Sequence, residues 1–584
     1  MKCTKWLMLS LLLCFPSSPL LHAKCKCKSS SSTADYVIVG MGTAGAVVAK
    51  KLTDNNRNSV IALHNGKNLN QDPLIKYSKN APITVLAALL GSPNPFGNFN
   101  FPQPLVQTIK DFLDSFPLPG LPLYQTGNTI PQPNADDRGL LWVLALPEGG
   151  SSSINAGVYC RGTNELFSQW EAIAGPLWSV NRILDVYKEL EHYHGKTDDP
   201  AARGYHGPIS IRQVSKPSGV ARTFTQAMMN ATGLPFVLDY NDPQTPIGIS
   251  ANMQYTQSHP NGILRVSSGT AFLNSKVVTP SGRGVCGRKL RIHFESTGLR
   301  TLWDGNKAIG VEYVQHGQTK QVFANKGVIV CAGLFSSPFL LHSGVGPAPL
   351  LNLLNIPVVF DNPNVGQGLA DQPHIVTLFT SNPEDGPKGV AGQNGVFAQI
   401  SWLPTPGGDP TERTLRLSTV NINPFPGITL AILDLCQPKS RGSVTINSAD
   451  PLAPPVIDLG ELTDPADLAL YQAGFQVYFK ALAQAVQTID PEYQLIFPDP
   501  AILDDIVALT AFIREEIECT QHFQSHCRMA PQNQGGVVDS TGHVYGVENL
   551  IVADNSIVPL CMDGSPMASA YLIGANIARI LLGN

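Results

Sequence analysis

The chain has 584 residues, 43% of them hydrophobic and only 14% charged, with a formal net charge of -4. That length calls for two or three domains with a large core, and the near-neutral balance argues against a nucleic-acid partner, which would want clustered Lys and Arg. The 52 Gly and 47 Pro, set among recurrent apolar runs, indicate turns and long connections, not disorder.

Residues 1–23 read as a secretory signal. Lys2 and Lys5 give a basic start, Trp6 to Leu13 is apolar but too short to span a bilayer, and Leu21-His22-Ala23 offers a cleavage site. The expected mature chain is secreted, or at least extracytoplasmic, behind a flexible polar leader over 24–33. No later segment is apolar for long enough to be a transmembrane helix. Cys3 and Cys14 leave with the signal, so nine of eleven cysteines remain. An oxidising destination leaves room for disulfides that the sequence does not assign, and no cysteine spacing suits a metal. Asn230-Ala231-Thr232 is a glycosylation sequon.

The β-branched run through Val37, Ile38 and Val39 leads into Gly40-x-Gly42-x-x-Gly45, then a predicted helix over Ala46–Leu52 and a second strand over Ser59–Leu63. This is the order of a dinucleotide-binding βαβ unit. Gly40 makes the turn, Gly42 lets a pyrophosphate reach the backbone, and Gly45 lets helix and strand pack. The next position should hold an acid to clasp a ribose diol, and it is His64. A neutral imidazole offers one acceptor for one hydroxyl; equally, His64 merely ends a strand.

Residues 67–138 form a long excursion without sustained periodicity. Phe167 to Tyr193 reads as helical, broken at Gly175-Pro176, with Trp170, Ile173, Ile183, Tyr187 and Leu190 as core positions. Gly327 to Leu341 opens as a strand and closes as a helix with Pro338 near its start. Ser418 to Leu435 alternates as strands do, Asp464 to Ala485 reads as a helix, and Ser569 to Leu582 as another whose Gly574 and Ala575 suit close packing. Similar pieces lie far apart, which predicts a cofactor domain assembled from separated segments with a second domain inserted. Aromatics of the inserted part, such as Trp402 and Phe397, read as core.

At Glu148-Gly149-Gly150-Ser151-Ser152-Ser153-Ile154-Asn155-Ala156-Gly157-Val158-Tyr159 the chain resembles the glucose-methanol-choline (GMC) oxidoreductases, flavoproteins that oxidise alcohols. Four further stretches agree in family order: Val328 to Pro338, Ser343 to Pro347, Asn364 to Asp371 and Val552 to Pro559. The resemblance implies an α/β fold, α+β overall, with a Rossmann-like FAD-binding domain in three parts (34–165, 265–372, 516–584). A substrate domain with an antiparallel sheet and helices would occupy 166–264 and 373–515. It implies FAD contacts at Gly40, Gly42, Thr43, Ala44, Gly45, His64, Gly149, Gly150, Ser153, Asn155, Ala156, Gly157, Val158, Leu299, Asp554, Asn555, Pro566 and Met567. Ile154 stands where some relatives carry a flavin-linking His, so the expected FAD is non-covalent.

An alcohol oxidase needs a base, a second polar group for the alcohol oxygen, and a dry pocket. The resemblance places the base at His522, with His526 a neighbour, and the second group at Ser565, where relatives have His or Asn. The substrate is then a small-molecule alcohol. Three departures from the family pattern stand out: His64, Ser565, and Glu148, which brings a carboxylate near the expected pyrophosphate. Two alternatives follow. Asn155 to Tyr159 is also similar to plant hydroxynitrile lyases, although Thr520 and Ser565 replace that group's Tyr and His. The three departures together would also suit a non-catalytic protein on a degenerate flavoenzyme scaffold.

Overall fold

The strand Ser32–Val39 is buried along Val37, Ile38 and Val39 with no polar alternation, as a central parallel strand must be. It is flanked in parallel by Val60–Leu63 on one side and by Gln318–Val330 on the other. The sheet continues outward through Leu290–His293 beyond Val60–Leu63, and through the antiparallel pair Lys307–Gln315 and Ser296–Asp304 beyond Gln318–Val330. Leu550–Val552 adds in parallel to the end of Gln318–Val330. Strands from three distant parts of the chain, 32–63, 290–330 and 550–552, thus make one sheet, as the separated-segment reading expects. The computed structural model describes residues 32–78, 123–385, 395–420 and 427–583. The signal, Cys25, Cys27 and most of the excursion lie outside the described residues. The leader ends sooner than expected, because Ser32 and Thr33 already pair with Val322 and Phe323.

Helix Thr43–Thr53 packs on the C-terminal helix Met567–Leu581. A Cβ at Gly574 would lie 2.6 Å from the Ala44 carbonyl oxygen, so the small residue is a condition of that contact. Asn164–Ala174 and Val180–Leu190 form the broken helix, with Trp170, Ile183, Tyr187 and Leu190 buried and Ile173 only half-buried. Tyr193 belongs instead to the strand Glu191–His194.

The second large sheet runs Leu495–Phe497, His374–Thr380, Ile428–Leu435, Leu415–Val420, Phe397–Leu403, Gly248–Ser250, all antiparallel. One face carries Leu415, Leu417, Ala431, Leu433 and Leu435. It packs on Phe224, Phe475, Phe479, Leu509 and Phe512 from the helices behind. The predicted helix Asp464–Ala485 is capped by Asp464 and runs from Pro465 to Ile489, interrupted by a π-helical stretch over Gly474–Phe479. The opposite face looks toward the 155–160 segment, where Ala156, Val158 and Cys160 pack with Phe397, Ile400 and Trp402. All seven described cysteines carry free thiols, so the disulfides allowed by the sequence do not form among the described residues.

Candidate active site and cofactor cradle

The fingerprint glycines divide by role. A Cβ at Gly40, where φ is 96°, would lie 2.3 Å from the Cys331 carbonyl oxygen, and one at Gly45 would lie 2.1 Å from that of Gly40. Both seal the turn. A Cβ at Gly42 would meet only the Gly150 Cα, at 3.9 Å, so space remains above that backbone. Gly42 also N-caps helix Thr43–Thr53 without any capping side chain. The first-turn N–H groups are therefore free to face an anion.

The second loop closes this cradle. Gly149 N–H donates to the Met41 carbonyl at 2.9 Å, and Thr43 Oγ1 donates to that of Gly149 at 3.3 Å. Ser152 and Ser153 turn their hydroxyls inward to the carbonyls of Gly149 and Glu148, at 2.7 and 2.8 Å. Glu148 does not oppose a pyrophosphate. Its carboxyl is buried, accepts from Asn70 Nδ2 at 2.5 Å, and burial pushes its pKa up to about 8. It is therefore chiefly neutral at pH 7, which removes the repulsion expected from sequence.

His64 is buried and neutral, its pKa lowered to about 4 by desolvation. Its Nδ1 accepts from Met41 N–H at 3.4 Å. The one acceptor thus faces the protein, and the protonated Nε2 is buried against the backbone of Leu146 and Pro147. Both ring nitrogens of His64 are therefore turned to the protein, and the acceptor anticipated from sequence is taken by Met41 N–H. The open glycine turn at Gly42 and the uncapped helix start at Thr43 fit the pyrophosphate of FAD.

The remaining predicted contacts tie to one another. Leu299 is the extra residue at a bulge between Gly298 and Arg300. Asn155 Oδ1 accepts from Gly157 N–H at 3.0 Å, and Asn155 Nδ2 lies 3.2 Å from Met567 Sδ. Asn555 Nδ2 donates to the Pro566 carbonyl at 2.8 Å, and Asp554 accepts from Gly333 N–H at 2.9 Å and Ser336 Oγ at 2.7 Å. The loop 148–157 and the start of the last helix are thereby joined.

His522 sits in a loop held from both ends. Gln521 and Ser525 take φ of 67° and 68°, a conformation costing on the order of 1–3 kcal/mol for such residues. Gln521 is pinned to the strand Leu141–Ala145 through Val143 N–H at 2.7 Å and the Leu141 carbonyl at 2.8 Å. Asp371 accepts the backbone N–H groups of His522 and Thr520, at 2.6 and 2.8 Å.

Gln372 then sets the His522 tautomer. Its Nε2 donates to the carbonyls of Cys436 and Met562, at 2.7 and 2.8 Å, so its Oε1 is the atom 2.7 Å from His522 Nδ1. Nδ1 must carry the proton, which leaves the Nε2 lone pair without a partner among the described residues. Burial holds the His522 pKa well below the usual value, with the charges of Arg416 and His374 adding to the effect. The result is a neutral imidazole with a free lone pair, as a base requires. His526 is different: fully buried, with Nδ1 2.8 Å from Ser337 Oγ.

Ser565 is half-buried in the loop that follows Cys561. Asp563 anchors that loop by accepting from Thr163 Oγ1 and N–H, at 2.5 and 3.1 Å. Ser565 Oγ accepts from Arg416 Nη1 at 2.6 Å, and Arg416 is clamped by Asp434 at 2.7 and 3.0 Å. Sequence reasoning missed Gln372, Arg416 and Asp434. The last two did leave a signal, as lone charges inside the apolar strands Leu415–Val420 and Ile428–Leu435. Among the described residues no group of three or more His, Cys, Asp or Glu could hold a metal, and no helix is long and apolar enough to cross a membrane.

The sequence matches the GMC oxidoreductase family over residues 34–374 and 438–574. It is 31% identical to an alcohol dehydrogenase [acceptor] of Pseudomonas putida, over 94% of this chain and 95% of that protein. It is 29% identical to an oxygen-dependent choline dehydrogenase of Sinorhizobium medicae, over 94% and 96%. Among solved structures, an FAD-dependent oxidoreductase from Chaetomium thermophilum superposes with a TM-score of 0.76 at 23% identity, covering 94% of this chain and 99% of that one. This likeness concerns the fold.

Proposed function

The chain belongs to the GMC oxidoreductase family and is an oxidoreductase, and from that premise we propose that it oxidises a small-molecule alcohol with non-covalently bound FAD, using His522 as base. The observation that carries the reading is the fixed tautomer of His522, whose free Nε2 lone pair is set by Gln372.

Gly42, the start of helix Thr43–Thr53, Gly149 and Gly150 would hold the pyrophosphate. The Asn155–Val158 segment, Asn555, Pro566 and Met567 would hold the flavin end. Bound FAD supplies the two-electron acceptor for hydride from the carbinol carbon. The protein's own part is proton handling: His522 Nε2 takes the hydroxyl proton as negative charge grows on the alcohol oxygen, and Ser565 holds that oxygen. Ile154 offers no nucleophile for a covalent flavin link, so acid precipitation should release the flavin into the supernatant.

The lyase alternative finds no help in this loop, because the Thr520 hydroxyl is spent on the Gln372 carbonyl. The degenerate-scaffold alternative loses one of its supports, since Glu148 is chiefly neutral near pH 7. Export through residues 1–23 is part of the proposal, and fractionation of expressing cells should recover the mature chain outside the cytoplasm. The deciding experiment is to purify the protein, add FAD and record its absorption spectrum. A retained yellow chromophore that neutral alcohols bleach anaerobically supports the reading, and a protein that stays colourless with FAD overturns it.

A further inference from the structure

A serine at the second catalytic position is short and a weak donor by itself. The structure places a cation directly behind it. Arg416, Asp434, His374 and Trp402 form one row across four adjacent strands, because Arg416 pairs in register with both Trp402 and Asp434, and Asp434 with His374. Directly opposed residues share a face, so this row lies on the side of the sheet that meets the 155–160 segment. Three of the five guanidinium N–H groups are committed, two to Asp434 and one to Ser565 Oγ. Because Ser565 Oγ accepts from a cation, its own proton is left to donate, and the donor is strengthened by the charge behind it. On the same face, Ile428, Leu430 and Ile432 continue from Asp434 as half-buried apolar positions.

We propose that Ser565 and Arg416 together form an oxyanion site that holds the substrate oxygen, with the Ile428–Ile432 wall receiving an apolar substrate body. The inference rests on the alcohol-oxidising reading above. Arg416 is a positioning residue that acts through Ser565, and Asp434 fixes its orientation. The substrate class this selects is an alcohol with an uncharged apolar body, set by the Ile428–Ile432 wall.

The test uses the FAD-loaded protein and cinnamate, an apolar body ending in an oxyanion, with neutral cinnamamide as its control. Binding is read from the perturbed flavin spectrum. Wild type should prefer cinnamate by about tenfold or more, and Arg416→Gln should weaken cinnamate about 10- to 100-fold while leaving cinnamamide nearly unchanged. Arg416→Lys should recover part of the loss, and Ser565→Ala should lose at least as much as Arg416→Gln because Arg416 acts through that hydroxyl. If Arg416→Gln alone fails to fold with Asp434 unpaired, the double variant Arg416→Gln/Asp434→Asn removes both charges together and carries the same expectation. A yellow variant that binds cinnamate as tightly as wild type overturns the oxyanion site alone, as does a wild type indifferent to the charge of the probe. A protein that never becomes yellow overturns the alcohol-oxidising reading and this inference with it.

Discussion

The two large sheets build their sites by different means. The parallel sheet ends in glycine turns, and its site is made of backbone: the open face at Gly42, the uncapped helix start at Thr43 and the loop at Gly149. The antiparallel sheet presents side chains, with His374, Asp434, Arg416 and Trp402 aligned across four strands. A backbone site needs contiguous residues of one type, whereas a side-chain row needs only register. In the proposed function the first would tolerate changes such as His64 and Glu148, because the surrounding N–H groups would do the binding. The second stands or falls on single side chains.

That contrast can be broken at the glycines, where the largest effect is expected. Gly45→Val forces a side chain against the Gly40 carbonyl, where a Cβ alone would come within 2.1 Å, and should yield little folded protein. Gly42→Val has room in the fold but fills the cradle. Its melting temperature without FAD should stay near wild type while FAD affinity, measured by titration, falls about 100-fold or more.

On the side-chain site, Arg416→Gln should lower the rate of flavin reduction about 10- to 100-fold. The groups whose charge bears on His522 are Arg416 and His374, and both disfavour its protonated form. Removing the Arg416 cation should therefore raise the His522 pKa and move the acidic limb of the kcat/KM profile to higher pH. Gln372→Leu frees the tautomer and should cost about tenfold in flavin reduction, the worth of about one hydrogen bond, with FAD affinity unchanged.

The smallest effect sharpens the account of the cofactor loop. Glu148 has a pKa near 8 in the folded state against an ordinary value of 4.5. The folded state thus keeps a proton that the unfolded state gives up, and the associated stability, full below pH 4.5, is lost as pH rises toward 8. Glu148→Gln removes that dependence. Its melting temperature relative to wild type should climb between pH 6.5 and 8, a window above the range where protonation of His64 contributes.

What could be read in the sequence follows the same division. The Gly40–Gly45 turn, the helix after it and the 149–157 loop are local, so a short window carries them. The place of His522 came from the surrounding motif, but its tautomer depends on Gln372, 150 residues earlier in the chain. Arg416 and Asp434 were invisible as a pair because only strand register brings them together. The position of His64 is legible from the motif, but nothing in the sequence says that Met41 N–H takes its lone pair. The helix after Asp464 was expected, yet its π-helical stretch at Gly474 was not, since periodicity does not register one extra residue in a turn.

The most direct test of the central claim follows flavin absorbance after anaerobic mixing of the FAD-loaded protein with neutral apolar alcohols, in wild type and His522→Ala. The account predicts bleaching in wild type and a rate lower by about 10²- to 10⁴-fold in the variant, with FAD still bound. Bleaching at the same rate in both proteins, or a flavin that no alcohol reduces in wild type, would contradict it.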